Sequence, residues 1–381
     1  MKPFLDELGQ RLAGIEAAGL RRELRPPTGI DFSSNDYLGL ARDPELRAAL
    51  LARFQGLPPD LPLGAPASRL LRGHLPEHAE VEARLARFKG TEAALLFNSG
   101  YQANLGAITA LIGPADRAIS DAQNHASLID ALRLAGCRKV IVPHLDFGAI
   151  ERELARPHEG GRTFLVTESL FSMDGDAAPL DRYAGLAERH GAELIVDDAH
   201  ATGLYGARGS GLAEEHGVER RAVAVVSTLG KAFGLAGAFV AGPRVVVDYL
   251  VNRSRPFLFT TAFPPLLLHA VDVTLDWMEA EPGRRRRVLA LADRLRERLR
   301  GRGLDCLASV GPIVPVVLGE NRRALAVAER LQAEGFDVRA VRPPTVAPGT
   351  ARLRISVHAD HSEAQIDDLA TAVAEAAEAL Q

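Results

Sequence analysis

The chain has 381 residues, 47% of them hydrophobic and 25% charged, with a net charge of -4 at pH 7 and a pI near 6.3. That length suggests two domains, one large and one small, and the slightly acidic balance offers no general attraction to nucleic acid or to an anionic membrane. The two cysteines, Cys137 and Cys306, lie far apart in apolar contexts, which indicates neither a disulfide framework nor a zinc site and fits a reducing, cytoplasmic compartment, and no apolar run reaches the ~20 residues of a membrane span.

Residues 1–25 read as an amphipathic helix with Phe4, Leu5, Leu8, Leu12 and Ile15 on one face, ending in the basic cluster Arg21, Arg22 and Arg25. A short strand follows from Ile30 and runs into a polar turn ending at Leu40. Proline and glycine make Gly56–Gly73 a loop, and Glu77–Phe88 a charged helix. Seven short apolar runs then alternate with helical patterns: Ala94–Phe97, Arg117–Ser120, Val140–Val142, Thr163–Thr167, Leu194–Asp197, Val223–Ser227 and Gly237–Ala241. Such alternation predicts an α/β fold with a mostly parallel seven-stranded sheet covered on both faces. Past residue 256 the pattern becomes a smaller α+β layer with strands at Ile313–Leu318, Phe336–Val341 and Ala351–Val357. The expected organisation is an N-terminal helix and strand segment (1–45), a large domain (46–255) and a small C-terminal domain (256–381). The run Gly283-Arg-Arg-Arg-Arg287 reads as a solvated helix start.

Parallel sheets bind ligands at the carboxyl ends of their strands, and the polar residues of this chain collect there: Asn98-Ser-Gly-Tyr101, Asp121-Ala-Gln-Asn-His125, Glu168-Ser-Leu-Phe-Ser172, Asp197-Asp-Ala-His200 and Thr228-Leu-Gly-Lys231. Of the lysines, Lys2 is terminal, Lys89 ends a charged helical pattern and Lys139 opens a strand. Lys231 follows a buried-looking strand and has the setting of a reactive amine that could form a Schiff base; its stretch alone equally admits a surface lysine in a loop. Ser99-Gly100-Tyr101 enters a helix whose first amides could hold a phosphate, although a plain capped helix is the commoner case. Asp197 ends the most apolar strand and needs a cationic partner or hydrogen bonds. A capping aspartate accounts for it until a cation is named, and a protonated pyridine nitrogen would be such a cation. Pro76 between His74 and His78 argues against a helical metal pair, and no metal site emerges.

Taken together, Thr228 with Lys231, Asp197-Asp-Ala-His200, Asn124-His-Ala-Ser127, Thr167-Glu-Ser-Leu-Phe-Ser-Met-Asp-Gly-Asp176, Ser34-Asn-Asp-Tyr-Leu-Gly39 and Arg342-Pro-Pro-Thr-Val running to Arg354 resemble the α-oxoamine synthases, from about Leu20 to Arg354 in unchanged order. The resemblance implies the fold type I architecture of pyridoxal-phosphate (PLP) transferases, typified by aspartate aminotransferase. It implies a PLP Schiff base on Lys231, which then serves as base, a pyridine nitrogen held by Asp197, and His125 stacked on the ring. It further assigns Ser172 and His200 to the phenolic side of the ring, and Gly100, Tyr101 and Thr228 to the phosphate. Arg354 would grip the amino-acid carboxylate with Asn35 in support, and Arg21 would meet the far carboxylate of an acyl chain. Thr260 and Thr261 would reach the phosphate of a neighbouring subunit, so a homodimer with shared sites is implied. The reaction would be a decarboxylative condensation of L-alanine with a pimeloyl thioester, a step in biotin biosynthesis, with glycine and acetyl-CoA as the alternative pair. One stretch departs from the family: Gly64-Ala-Pro-Ala-Ser68 stands where a Gly-Ser-Gly-Gly-Ser loop is usual, and Pro66 and Ala67 bar the usual backbone path.

Overall fold

The computed structural model describes residues 3–24 and 26–380. In chain order the strands are β1 (Ile30–Asp31), β2 (Ala93–Phe97), β3 (Arg117–Asp121), β4 (Arg138–Val142), β5 (Thr163–Glu168), β6 (Glu193–Asp197), β7 (Ala224–Thr228), β8 (Ala238–Gly242), β9 (Ile313–Gly319), β10 (Phe336–Asp337), β11 (Arg339–Val341) and β12 (Ala351–Ser356). The chain divides into two compact units. The larger comprises Asn35–Ser172 with Ala177–Arg287, and the smaller the described residues up to Ser34, Met173–Asp176 and those from Val288 on. This division differs from the segments expected at 45/46 and 255/256. Helix Pro265–Ala280 belongs to the larger unit because it packs on helices Pro44–Gln55 and Pro76–Lys89.

The larger unit holds a seven-stranded sheet in the order β2-β8-β7-β6-β5-β3-β4. Only β8 runs antiparallel to its neighbours; the other contacts are parallel. The expected α/β sheet and its seven runs are thus present. The inner strands are largely apolar because both faces are covered, whereas the edge strand β4 exposes Arg138, Lys139 and Ile141; neighbouring residues of the inner strands serve opposite cores. Phe164 and Val166 of β5 join Ile195 of β6 under helices Gly100–Leu111, Ala126–Ala135 and Arg244–Arg253. Leu165, Leu194 and Val196 face the other way, toward Phe147–Ala155 and Leu180–His190. The carboxyl ends of β3, β5, β6 and β7 therefore share one edge of the sheet, each ending in a polar residue.

The smaller unit contains the antiparallel sheet β11-β12-β9 and the parallel pair β1 with β10. The expected strand Phe336–Val341 is divided, since Phe336 and Asp337 pair with β1 while Arg339–Val341 pair with β12. The first helix is Pro3–Ala17, with no buried residue. It stops short of Arg21 and Arg22, and Arg25 lies outside the described residues.

Other local expectations need correction. Helix Pro44–Gln55 was not anticipated, although Asp43-Pro-Glu is a start signal; the Asp43 carboxylate accepts from Leu46 N–H at 2.8 Å. The loop Gly56–Gly73 ends in a π-helical turn, Arg69–Gly73, and Ala67 C=O accepts from Ala262 N–H at 2.9 Å. The arginine run beginning at Gly283 is not wholly solvated. Arg284 pairs with Asp43, donates to Leu38 C=O and lies over the Trp277 ring, while Arg285 donates to Gly206 and Ala207 carbonyls.

Candidate active site

The convergent strand ends enclose a cavity of about 400 Å³ in the larger unit. Its wall includes Gly100, Tyr101, His125, Asp197, His200, Thr228 and Lys231, together with Asn98, Ser99, Asn104, Ser127 and Glu168. Seven residues proposed from the sequence thus meet around one space.

At one end, Ser99 Oγ accepts from Gln102 N–H at 3.2 Å and starts helix Gly100–Leu111. The amides of that first turn have no intrahelical partners. A Cβ at Gly100 would lie 2.6 Å from Thr228 Cγ2, so the bare glycine is required by the approach of β7. The Tyr101 hydroxyl is turned to the Asp130 carboxylate at 2.5 Å. This cradle of free amides and the Thr228 hydroxyl fits a phosphate.

Asp197 occupies the centre. Its carboxylate accepts from Asn104 Nδ2 at 2.6 Å and from Ala199 N–H at 3.0 Å. Among the described residues no lysine or arginine forms an ion pair with it, so a protonated ring nitrogen supplied by a ligand fits this buried anion. Asn104 also donates to Ser127 Oγ at 2.9 Å, and Ser127 meets His125 Nδ1 through its hydroxyl at 2.7 Å and its N–H at 3.2 Å. A single network therefore fixes both Asp197 and the His125 ring. The face of His125 is open to the cavity, yet the protein packed around it lowers its pKa; the Asp197 charge opposes this and Lys231 adds to it, and the net shift is downward. Such an imidazole is neutral at pH 7 and suited to stacking.

His200 is buried, and its Nδ1 lies 2.7 Å from the Tyr37 hydroxyl, which donates to Asn35 Oδ1 at 3.2 Å. Asn35 thus reaches the site through Tyr37, a residue not singled out from sequence. Ser172 is buried but lies outside the cavity wall. Thr260 and Thr261 also lie outside it, beside Asn98, whose Nδ2 donates to Thr261 C=O at 2.8 Å. Arg354 and Arg21 belong to the smaller unit. Arg354 is buried on β12 and donates to Ser356 Oγ at 2.9 Å; Arg21 pairs with Glu16 at 2.7 Å. Arg352, on the same strand, is taken up by Asp174 and Thr350.

Glu168 was not assigned a role from its sequence. It is buried at the end of β5, directly opposite Asp197 in the strand register. Burial holds its pKa well above the ordinary glutamate range, and the Asp197 charge raises it further. Two smaller clusters are satisfied within the protein. His78 bridges Leu75 N–H and Phe263 C=O, and His361 bridges His358 N–H and Asp31 C=O; burial lowers both to a pKa of about 4. No helix among the described residues is long and apolar enough to cross a membrane.

Residues 27–373 match the family model for aminotransferase class I and II. The 8-amino-7-oxononanoate synthase of Anaeromyxobacter dehalogenans is 46% identical over 97% of this chain and 95% of its own length. Among solved structures, a serine palmitoyltransferase from S. paucimobilis with a bound PLP–myriocin aldimine superposes with a TM-score of 0.88, at 29% identity and 98% coverage of both chains. The 8-amino-7-oxononanoate synthase of Francisella tularensis gives a TM-score of 0.77 at 27% identity, covering 91% of this chain and 97% of that one.

Proposed function

Proceeding from the fact that this chain belongs to the aminotransferase class I and II family, we infer that it uses PLP to condense L-alanine with a pimeloyl thioester, forming 8-amino-7-oxononanoate with loss of carbon dioxide. The observation that carries this reading is the cavity in which Lys231, Asp197, His125, His200, Thr228 and Gly100 meet, in a chain 46% identical to a synthase of that name. PLP supplies a carbonyl that captures amines and an electron sink for a developing carbanion.

The residues divide the remaining work. Lys231 would hold the cofactor covalently, and its Nζ would be the base for the α-proton of the bound amino acid. Asp197 keeps the ring nitrogen protonated, held in place by Asn104 and Ala199 N–H. His125 covers one ring face in the orientation that Ser127 imposes. The free amides at Gly100 and Tyr101, with Thr228, bind the phosphate. His200, backed by Tyr37 and Asn35, and Ser172 serve the phenolic side. Arg354 binds the amino-acid carboxylate bidentately. The working unit is a homodimer in which Thr260 and Thr261 serve the site of a second copy. Support for the dimer comes from Phe259, 72% exposed immediately before them, an aromatic surface that a partner would cover.

The test is to incubate purified protein and PLP with candidate amino acids and thioesters and follow product by mass. L-alanine with a pimeloyl thioester is expected to turn over fastest, and faster turnover of glycine with acetyl-CoA overturns the reading. The acyl end is tested separately. Arg21→Ala lowers kcat/KM for the pimeloyl thioester about ten- to a hundredfold, since a charge-assisted bond contributes roughly 1.5–3 kcal/mol, and leaves a monocarboxylic acyl thioester of equal length nearly unaffected. Equal losses on both remove Arg21 from the site.

A further inference from the structure

The hydrogen bonds that run from Asp197 to His125 have a fixed polarity. Both Asp197 oxygens accept from N–H groups, Oδ1 from Ala199 and Oδ2 from Asn104, as a carboxylate must. The Asn104 atom 2.6 Å from Oδ2 is therefore the amide nitrogen, whose second hydrogen goes to Ser127 Oγ at 2.9 Å. Asn104 is buried, and its Oδ1 has no hydrogen-bond partner among the described residues, so the two bonds of Nδ2 alone set which way the amide lies. Ser127 Oγ, having accepted from Asn104, keeps its own proton for His125 Nδ1 at 2.7 Å. The Ser127 N–H, which can only donate, meets the same nitrogen at 3.2 Å.

We propose that Asn104 and Ser127 are positioning residues that keep His125 Nδ1 free of a proton, so that the histidine holds its one proton at Nε2, available to a ligand in the cavity. Two donors converge on Nδ1, and a proton there would oppose the Ser127 N–H head-on and force the hydroxyl to turn away. Two charges of opposite sign act on the ring, Asp197 at the end of β6 and Lys231 beyond β7, and Glu168 at the end of β5 accepts the backbone N–H of His125. None of the three hydrogen-bonds to Nδ1, so the directed bonds place the proton. The consequence for the cofactor rests on the PLP reading given above. Asp197 holds the ring nitrogen as a cation, and the bonds it anchors through Asn104 and Ser127 keep the imidazole over that ring uncharged. A second cation on the ring face would oppose the first. One carboxylate thus governs the proton on the ring nitrogen and its absence from Nδ1.

Nitrogen NMR of the full chain tests this, with and without PLP, using ring-labelled histidine and His125→Asn to identify the signal. The couplings of each ring nitrogen to the carbon-bound protons tell Nδ1 from Nε2, and its shift tells whether it carries a proton. At about pH 7 the wild type should show a bare Nδ1 and a protonated Nε2. Ser127→Ala should raise the protonated fraction at Nδ1 about fivefold, the effect of losing one neutral hydrogen bond, read at a pH where both forms are seen. Ser127→Thr, which keeps the hydroxyl, should restore the wild-type fraction. Asn104→Leu, at a position that forms no hydrogen bond with His125, should raise it about twofold. In the Ser127→Ala background it should add nothing, because its effect passes through that hydroxyl. A purely structural role would lower stability without moving this fraction. A proton on Nδ1 of the wild type at neutral pH, whether or not Nε2 also carries one, overturns the proposal, as does an unchanged fraction in Ser127→Ala. An Asn104→Leu effect that persists in full without the hydroxyl overturns the relay from Asn104. Loading is followed separately by absorbance and by borohydride labelling of Lys231. Failure to load defeats the PLP reading, while the position of the proton is still decided on the unloaded chain.

Discussion

Asp197 and Asp198 are adjacent in sequence and face two different lysines. Asp197 opens on the cavity with Lys231 in the same wall. Asp198 points into the sealed interior and pairs with Lys89 at 2.6 Å, both side chains being 0% exposed. That second pair is saturated. Lys89 Nζ also donates to Thr202 Oγ1 and Ser210 C=O, and the other Asp198 oxygen accepts from Ser169 Oγ at 2.5 Å. Gly211, at φ 131°, leaves room for it, since a Cβ there would lie 2.0 Å from Asp198 Oδ2. Lys89 is therefore the more deeply buried amine and the chemically inert one. An open approach beside it is what would let Lys231 react, whereas burial with a full set of partners marks Lys89 as structural.

The comparison can be broken by exchanging the consequences of loss. The largest effect is expected at Lys231→Ala, which removes nucleophile and base together and should cut turnover roughly a thousandfold or more, with the unfolding midpoint of the apoprotein nearly unchanged. Retention of a borohydride-stable label in that variant would show that Lys89 or Lys139 carries the cofactor. Next is Lys89→Ala. It strands a buried carboxylate and should destabilise the apoprotein by about 3–5 kcal/mol in denaturant titration, while whatever remains folded still takes the label on Lys231. The double change Lys89→Met with Asp198→Leu should recover much of that loss, because the cost lies in the unpaired charge.

A finer contrast lies between the two aspartates. Asp197→Asn should leave the fold intact and slow exchange of the α-proton of bound L-alanine by about a hundredfold or more. Asp198→Asn should lower stability with a smaller effect on exchange. Wild-type exchange in Asp197→Asn would mean that the ring nitrogen is held elsewhere. The smallest effect is a pH slope. Because the folded-state pKa of Glu168 is raised above its ordinary 4.5, its favourable contribution is complete below that pH. It is lost as pH rises, until Glu168 ionises within the fold. Relative to Glu168→Gln, wild-type apoprotein should therefore lose stability from about pH 4.5 upward, and parallel curves would show that Glu168 is already ionised.

Much of this site was legible before folding was considered. Short apolar runs between helical patterns mark a parallel sheet, and polar residues after each run mark its ligand edge, so Lys231, Asp197, His125 and His200 could be grouped without coordinates. Glu168 was visible in the same way, as the polar end of β5. Its charge was not, because a protonation state depends on which strand lies beside it and on what else hydrogen-bonds each carboxyl.

The sequence by itself determined the alternation of elements, the convergence of strand ends and the residue types available there, since these follow from side-chain periodicity and chain order. Lys89 does end a charged helix, as its sequence indicates, but the burial of its side chain was not legible there, because a lysine is buried only where a distant anion meets it, and Asp198 lies 109 positions away. The helix start after Gly283 is as expected, but Arg284 and Arg285 are not wholly solvated, for the same reason: their acceptors, Asp43, Leu38 and Gly206, come from other parts of the chain. Tertiary structure alone decided that Asp198 is sealed inside with Lys89, and that Glu168 lies opposite Asp197. Each depends on distances between segments remote in sequence, and the electrostatic energies that set charge and reactivity vary with those distances.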